Sequence, residues 1–319
     1  MRRTPQPNEI VVERLYDAPV EAVWDAWTDP AKVEKWWGPR GFTLTTHSKD
    51  LRPGGHWHYT MHGPDGTDFP NVTAYHEVEE FRKLVYDHGA NGAQPPLFRV
   101  TALFSEVDGK TLLRMTMALA SADAADSIRK MIKEKGGNAT WDRLAEYLGE
   151  TGCGDPARSQ PSFVINRSFP ASIERLFEAW TNPAQLCQWL PPTGFVMECR
   201  EAEIRTGGRL VGTMDNGAGV SFGVEFQYLE CSPSRIVYVQ RFCDDDGRVS
   251  RHPALPEFPE SLLNTVTFTT EEDGQTRVTL TTTPAGSPTP GELQVFLDTR
   301  ASMTMGWSAS FEKLEAMVL

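Results

Sequence analysis

Arg14–Trp37, RLYDAPVEAVWDAWTDPAKVEKWW, and Arg167–Leu190, RSFPASIERLFEAWTNPAQLCQWL, are two versions of one stretch. Trp27 falls on Trp180, Thr28 on Thr181, Pro30 on Pro183 and Trp36 on Trp189, each 153 residues later. The same spacing pairs Gly41-Phe42 with Gly194-Phe195, Gly54-Gly55 with Gly207-Gly208 and Thr60-Met61 with Thr213-Met214. It also pairs Tyr75 and Glu77 with Tyr228 and Glu230, and reads on without a gap to Tyr86. A period this long is a duplicated domain rather than a solenoid unit. The expected organisation is a first domain over residues 1–149, a Gly- and Pro-rich linker over 150–160 and a second domain over 161–319.

Within each copy the pattern changes twice. Glu9–Tyr16 alternates as a strand. Pro19 then opens a short helix whose Val20, Val23, Trp24 and Trp27 form one apolar stripe. Asp29-Pro30, and Asn182-Pro183 in the second copy, read as a cap and first-turn proline of another short helix ending at Trp36-Trp37. Six period-two segments follow: Phe42–Leu51, Gly55–His62, Asp68–Glu79, Lys83–His88, Phe98–Val107 and Lys110–Leu119. The last segment, Ala122 to Leu148, is helical. Ile128, Met131 and Ile132 lie on one stripe, Trp141, Leu144, Ala145 and Leu148 on another, and a bend is expected at Gly136-Gly137.

The second copy repeats this from Ser162 and closes with a helix over Gly291–Val318. It adds an insertion, Cys243–Ser261, expected as a long surface loop. The class is therefore α+β: one strand, two short helices, six antiparallel strands and a long C-terminal helix, twice over. A strongly curved sheet leaves a concave face for that helix, and whatever lies between them is packed core or a pocket.

Composition narrows the function. The chain of 319 residues carries a net charge of −12, without a Lys/Arg cluster, which argues against nucleic acid and anionic membranes as partners. No apolar run is long enough to span a bilayer and MRRTPQPNE lacks a signal peptide's apolar core, so the expected compartment is the cytoplasm. Five cysteines with no CxxC pair suggest neither a zinc knot nor a disulfide framework. Six of seven histidines precede residue 152 and every cysteine follows it, so the copies have diverged.

The series Pro19, Val23-Trp24, Trp27-Thr28, Pro30, Trp36-Trp37-Gly38-Pro39, Gly41-Phe42, Arg52-Pro53-Gly54-Gly55 and Met61 resembles the START-like (SRPBCC, helix-grip) superfamily. It is most similar to the branch named after the activator of heat shock protein 90 ATPase. The second copy carries the same series with Trp189-Leu190-Pro191 and Thr206-Gly207-Gly208, and adds Arg241-Phe242, His252-Pro253 and Gly306-Trp307. The first copy has Gly137 where the second has Trp307, and Trp141 where it has Phe311. The resemblance implies two tandem helix-grip domains. It leaves activity open, since the fold hosts binders, transporters, cyclases and hydratases.

Parity identifies candidate residues. Trp57, Tyr59 and Met61 match Leu210, Gly212 and Met214, so that face of the strand is inward and His56, His58 and His62 point out. No metal site is expected there. Val220, Phe222, Val224, Phe226 and Tyr228 alternate, so Phe69, Asn71, Thr73 and Tyr75 face inward too. On the last strand Leu113, Met115 and Met117 match Val278, Leu280 and Thr282. The first cavity is expected to be lined by Trp57, Tyr59, Met61, Asn71, Tyr75, Met115 and Met117, with Trp37 at its mouth. Leu210, Met214, Phe222, Phe226, Tyr228, Val278 and Leu280 would line the second.

The absence of GxSxG, GxGxxG and GxxxxGK[ST] leaves no cofactor or catalytic triad to expect. The acidic run Asp244–Asp246 reads as a solvated turn. The leading expectation is a binder or carrier of a small hydrophobic molecule. The rival is an aromatase/cyclase-like enzyme, for which an inward charged or imidazole group is the discriminating feature. His88 is the candidate in the first copy, with ambiguous parity. A chaperone-binding module is the third reading. It is weakened because nothing corresponds to the separate chaperone-binding domain of eukaryotic co-chaperones of that name. The oligomeric state has no sequence signature.

Overall fold

The computed structural model describes residues 5–89, 95–135, 139–244, 247–271 and 274–319. The bend expected at Gly136-Gly137, Asn138, the side chain of Met131 and residues 245–246 of the acidic run lie outside these. The chain divides into two compact units, Met1–Gln160 and Pro161–Leu319.

In the first unit β1 (Glu9–Tyr16) precedes α1 (Val20–Thr28) and α2 (Pro30–Val33). Six strands follow: β2 (Thr43–Lys49), β3 (His56–His62), β4 (Asp68–Glu79), β5 (Lys83–His88), β6 (Phe98–Val107) and β7 (Lys110–Ala118). They form one antiparallel sheet in the order β1-β7-β6-β5-β4-β3-β2. Helices α3 (Ala122–Lys135) and α4 (Ala139–Glu150) close the unit. Gly152–Gly154 and Pro156–Arg158 then make two 3-10 turns.

The second unit has β8 (Phe163–Phe169), α5 (Ile173–Thr181) and α6 (Pro183–Trp189). It continues with β9 (Val196–Ala202), β10 (Arg209–Asp215), β11 (Ser221–Ser232) and β12 (Arg235–Cys243). After β13 (Val249–Ser250) come β14 (Ser261–Thr270), β15 (Thr276–Pro284), α7 (Pro290–Asp298) and α8 (Arg300–Val318). Its sheet runs β8-β15-β14-β12-β11-β10-β9, with β13 added to β12.

The repeated residues have repeated jobs. The Asp29 carboxylate accepts from the backbone N–H of Ala31 and Lys32, and Asn182 does the same for Ala184 and Gln185. The Trp36 indole N–H donates to Ala26 O at 2.9 Å, and that of Trp189 to Ala179 O at 2.9 Å. Gly55 and Gly208 are the second residues of the matched Gly-Gly pairs. A Cβ on either would stand 2.1 Å from a carbonyl oxygen, of Asp50 or Glu203, so no side chain fits. Those glycines pair with Tyr75 and Tyr228, and in both units the register slips just beyond, between Tyr75 and Glu77 and between Tyr228 and Glu230. Such bulges bend the sheet around the closing helix.

Several expectations are corrected. The uniform spacing of 153 ends at the turn after β4: three residues separate Glu79 from Lys83, but two separate Ser232 from Arg235. Tyr86 therefore matches Tyr238, and His88 matches Gln240. The closing helix of the second unit is divided at Thr299, whose hydroxyl bonds back to Val295 O and Phe296 O and competes with the helical ladder. In the first unit α2 stops at Val33, short of Trp36-Trp37. The Cys243–Ser261 insertion is not a free surface loop: β13 pairs with β12, Phe258 is buried, and Arg251 binds both Phe258 O and the Glu292 carboxylate. Cys187 on α6 and Cys199 on β9 form a disulfide, which their spacing did not suggest; α6 packing on β9 brings them together.

In each unit the closing helix is tied to the turn after the second short helix. Arg143 on α4 donates to the carbonyls of Gly38 and Pro39 at 2.9 Å and of Phe42 at 3.2 Å. In the second unit Lys313 binds Pro191 O, and Ser310 donates to Leu190 O at 2.7 Å. Burial pulls the Arg143 guanidinium down to about 10, so it stays charged at neutral pH. Arg143→Met should lower the unfolding free energy of the first unit by about 2–3 kcal/mol in urea, followed by tryptophan fluorescence. Arg143→Lys should recover part of it, since lysine holds the matching position of the second unit.

Candidate functional site

In the first unit the inward faces of the sheet meet α1 and α4 through rings. Trp141 on α4 stacks on Trp27 at 5.4 Å, and Trp37 packs edge-on against Trp27, Trp57 and Trp141. Trp36 is fully buried, whereas Trp37, one residue on, reaches a cavity. That cavity has a volume of about 190 Å³ and lies between the closing helices and the sheet, open on one side. Its walls are Trp37, Gly38 and Pro39 from the turn after α2, Val12, Met61 and Met117 from three strands, and Ile132, Thr140 and Trp141 from α3 and α4. His88 completes it.

Of the residues expected to line the first cavity, Trp37, Met61 and Met117 are on its wall. Trp57, Tyr59, Tyr75 and Met115 are buried inward residues in the layer behind, with Trp57 stacked on Tyr59 at 4.0 Å. Asn71 sits half-buried near the sheet margin, its amide donating to Phe69 O. His56 and His58 are exposed on the other face of β3, and the His62 ring bonds Thr45 and Asp68. Among the described residues no group of three or more His, Cys, Asp or Glu could hold a metal ion.

Two inward polar groups were hidden from sequence reasoning. His88 was ambiguous because both faces of β5 are buried: Leu84 and Tyr86 on one, Val85 and Asp87 on the other. Its pairing with Thr73, two residues from the Tyr75–Tyr86 pair, turns it inward. The ring lies flat on Phe98 at 4.8 Å, and desolvation lowers its pKa from 6.5 to about 4, so the imidazole is neutral at pH 7. Lys49 is the second. A register slip between Thr46 and Ser48 reverses the parity of β2, and its ammonium donates to Trp27 O at 2.8 Å, 4.1 Å over the Trp57 ring. Burial lowers it to about 7. It caps α1 and stands behind Trp57, off the cavity wall.

In the second unit the expected lining residues are inward and packed among rings. Leu210, Val278 and Leu280 are fully buried. Phe226 and Tyr228 both contact Tyr238, and Met214 is buried beside the sheet margin. Phe222 touches Phe195, Phe242 and the His252 ring. Trp307 stacks on Trp180 and contacts Phe311, which meets Phe169. Phe258 of the insertion covers Phe242 and Phe296.

A family profile described as activator of Hsp90 ATPase homolog 1-like protein matches residues 17–149 and again 170–318. Among solved structures the chain is similar to Ms6760 from Mycobacterium smegmatis, at 28% identity, covering 44% of this chain and 91% of that one with a TM-score of 0.40. It is similar to NE0264 from Nitrosomonas europaea at 23% identity, 46% and 96% coverage and a TM-score of 0.42. The di-domain ARO/CYC BexL from the BE-7585A biosynthetic pathway aligns with 97% of this chain and 98% of its own, at 15% identity and a TM-score of 0.38. No curated protein matches the chain.

Because the folded His88 releases its proton more readily than the unfolded one, the unfolded chain binds the extra proton between pH 6.5 and about 4. The unfolding free energy of the first unit should therefore fall as pH drops through that window. The loss specific to His88 should reach at most about 3 kcal/mol. It is read as the difference in pH slope between the wild-type chain and His88→Phe.

Proposed function

The chain belongs to the activator of Hsp90 ATPase homolog 1-like family, matched once in each unit, and on that premise we propose that it binds a small apolar molecule in the cavity of the first unit. The observation that carries the reading is a space of about 190 Å³, open on one side and bounded chiefly by Trp37, Trp141, Met61, Met117, Val12 and Ile132. Apolar cavities of about 150 Å³ stay dry and accept benzene. This one is suited to a compound the size of a naphthalene, and methionine side chains let its wall adapt. Binding, transport or storage of such a compound needs no further chemistry from the protein. A cytosolic setting is part of the proposal, and there the Cys187–Cys199 pair would stand reduced.

His88 favours a second reading, acid–base catalysis on an apolar carbonyl compound of the polyketide kind. A neutral imidazole on the wall could take up a proton from a bound substrate. Turnover lost in His88→Phe, with binding retained, would support it.

The test of the leading reading is fluorescence titration of the full chain with 2-methylnaphthalene. Saturable binding at one site is expected, weakened at least tenfold by Met117→Trp, which fills the space, and less by Met117→Phe. Absence of saturable binding to the wild-type chain would end the proposal.

A further inference from the structure

The cavity of the first unit is apolar around most of its wall and polar at one end. Across the sheet, Trp57 pairs with Thr73, Thr73 with His88 and His88 with Phe98, so the four strands bring an inward hydroxyl directly beside the cavity imidazole. Tyr59 enters the same region from β3. Its hydroxyl is nearest the Thr73 hydroxyl and the Trp37 indole without hydrogen-bond geometry to either. The Tyr59 hydroxyl and Thr73 Oγ1 are both buried with no hydrogen-bond partner among the described residues. The His88 ring is half-buried and forms part of the cavity wall.

Buried polar groups are ordinarily paired, and leaving one unpaired costs about 1–3 kcal/mol. Two such groups, Tyr59 and Thr73, lie beside the half-buried His88 ring, which stands on an otherwise apolar wall, and that ring is the group placed to meet a polar partner. The second unit shows that the fold does not require them. Gly212, Phe226 and Gln240 hold the positions matching Tyr59, Thr73 and His88. There Gln240 accepts from the Asn264 amide at 3.4 Å, and Thr282 donates to Asn264 Oδ1 at 2.6 Å, so the polar groups satisfy one another.

We propose that the first cavity takes a neutral aromatic molecule bearing one hydroxyl or carbonyl group. Its ring system lies between Trp37, Trp141, Met61 and Met117, and its polar group is bound by His88, with the Thr73 and Tyr59 hydroxyls in the layer behind. The inference rests on the reading of this cavity as a ligand site and adds the chemistry of the ligand. Among the described residues no cationic side chain is on the wall. Arg143, at the rim, is committed to backbone carbonyls, and Lys49 to Trp27 O. An uncharged imidazole in a desolvated setting offers a hydrogen bond but no countercharge, so a carboxylate would be desolvated without compensation.

The experiment compares three probes of one shape on the full chain by calorimetric titration: 2-methylnaphthalene, 2-naphthol and 2-naphthoate. The hydroxyl should improve affinity over the methyl group by about tenfold, the worth of one net hydrogen bond. The carboxylate should bind at least tenfold more weakly than the naphthol. In His88→Phe the naphthol preference should fall to about twofold or less while methylnaphthalene still binds, which also reports an intact cavity. Equal affinity for naphthol and methylnaphthalene in the wild-type chain would overturn the inference while leaving the ligand site standing, as would a preference that survives in His88→Phe. Naphthoate binding as tightly as naphthol would overturn it too. If none of the probes binds, the ligand site falls with it.

Discussion

A cation on the closing helix gripping the backbone carbonyls of the turn after the second short helix is the contact on which each unit depends. Arg143 does this in the first unit and Lys313 in the second, at matching positions. The turn carries Trp37, Gly38 and Pro39, which form the rim of the first cavity, and the helix carries Trp141, which forms its roof. The grip therefore sets how deeply the helix lies in the curved sheet, and so how much space is left beneath it. The first unit adds the Arg40–Glu146 ion pair, a two-pronged contact with the carboxylate almost fully buried, which holds the same turn to the same helix.

With the helix held at that depth, the side chains that meet beneath it differ between the units. In the second unit the rings of Trp307, Phe311 and Phe258 meet Trp180, Phe169 and Phe296. In the first unit Trp141 stacks on Trp27, and the space beyond it is bounded by flexible methionines and one imidazole. The two copies keep one scaffold and differ in what occupies its centre. Their polar residues follow the same division: an internally satisfied Gln240–Asn264–Thr282 set in one, and unpartnered hydroxyls beside His88 in the other.

Much of the fold was legible because the duplicated residues do backbone work that few others can do. Asp29 and Asn182 cap, Trp36 and Trp189 donate to a helix carbonyl, and Gly55 and Gly208 touch a carbonyl where no Cβ fits. Strand parity placed Trp57, Met61, Met115 and Met117 inward because regular alternation holds over most of each strand. It failed where alternation is broken. The slip at His47 turned Lys49 inward, and burial on both faces of β5 masked His88. The shorter β11–β12 turn moved the matches between β5 and β12 by one residue, an offset fixed by strand pairing rather than by composition. The cavity itself was not legible residue by residue, because Trp57, Tyr59, Tyr75 and Met115 are inward yet packed, and only packing separates a wall from the layer behind it.

The most direct measurement of the central claim is a methyl NMR titration of chain labelled at its methionine methyl groups, with 2-naphthol as ligand. The account predicts saturable shifts at Met61 and Met117, which face the cavity, while Met214 of the second unit stays in place. Shifts confined to exposed methionines such as Met305, or none at all, would contradict it.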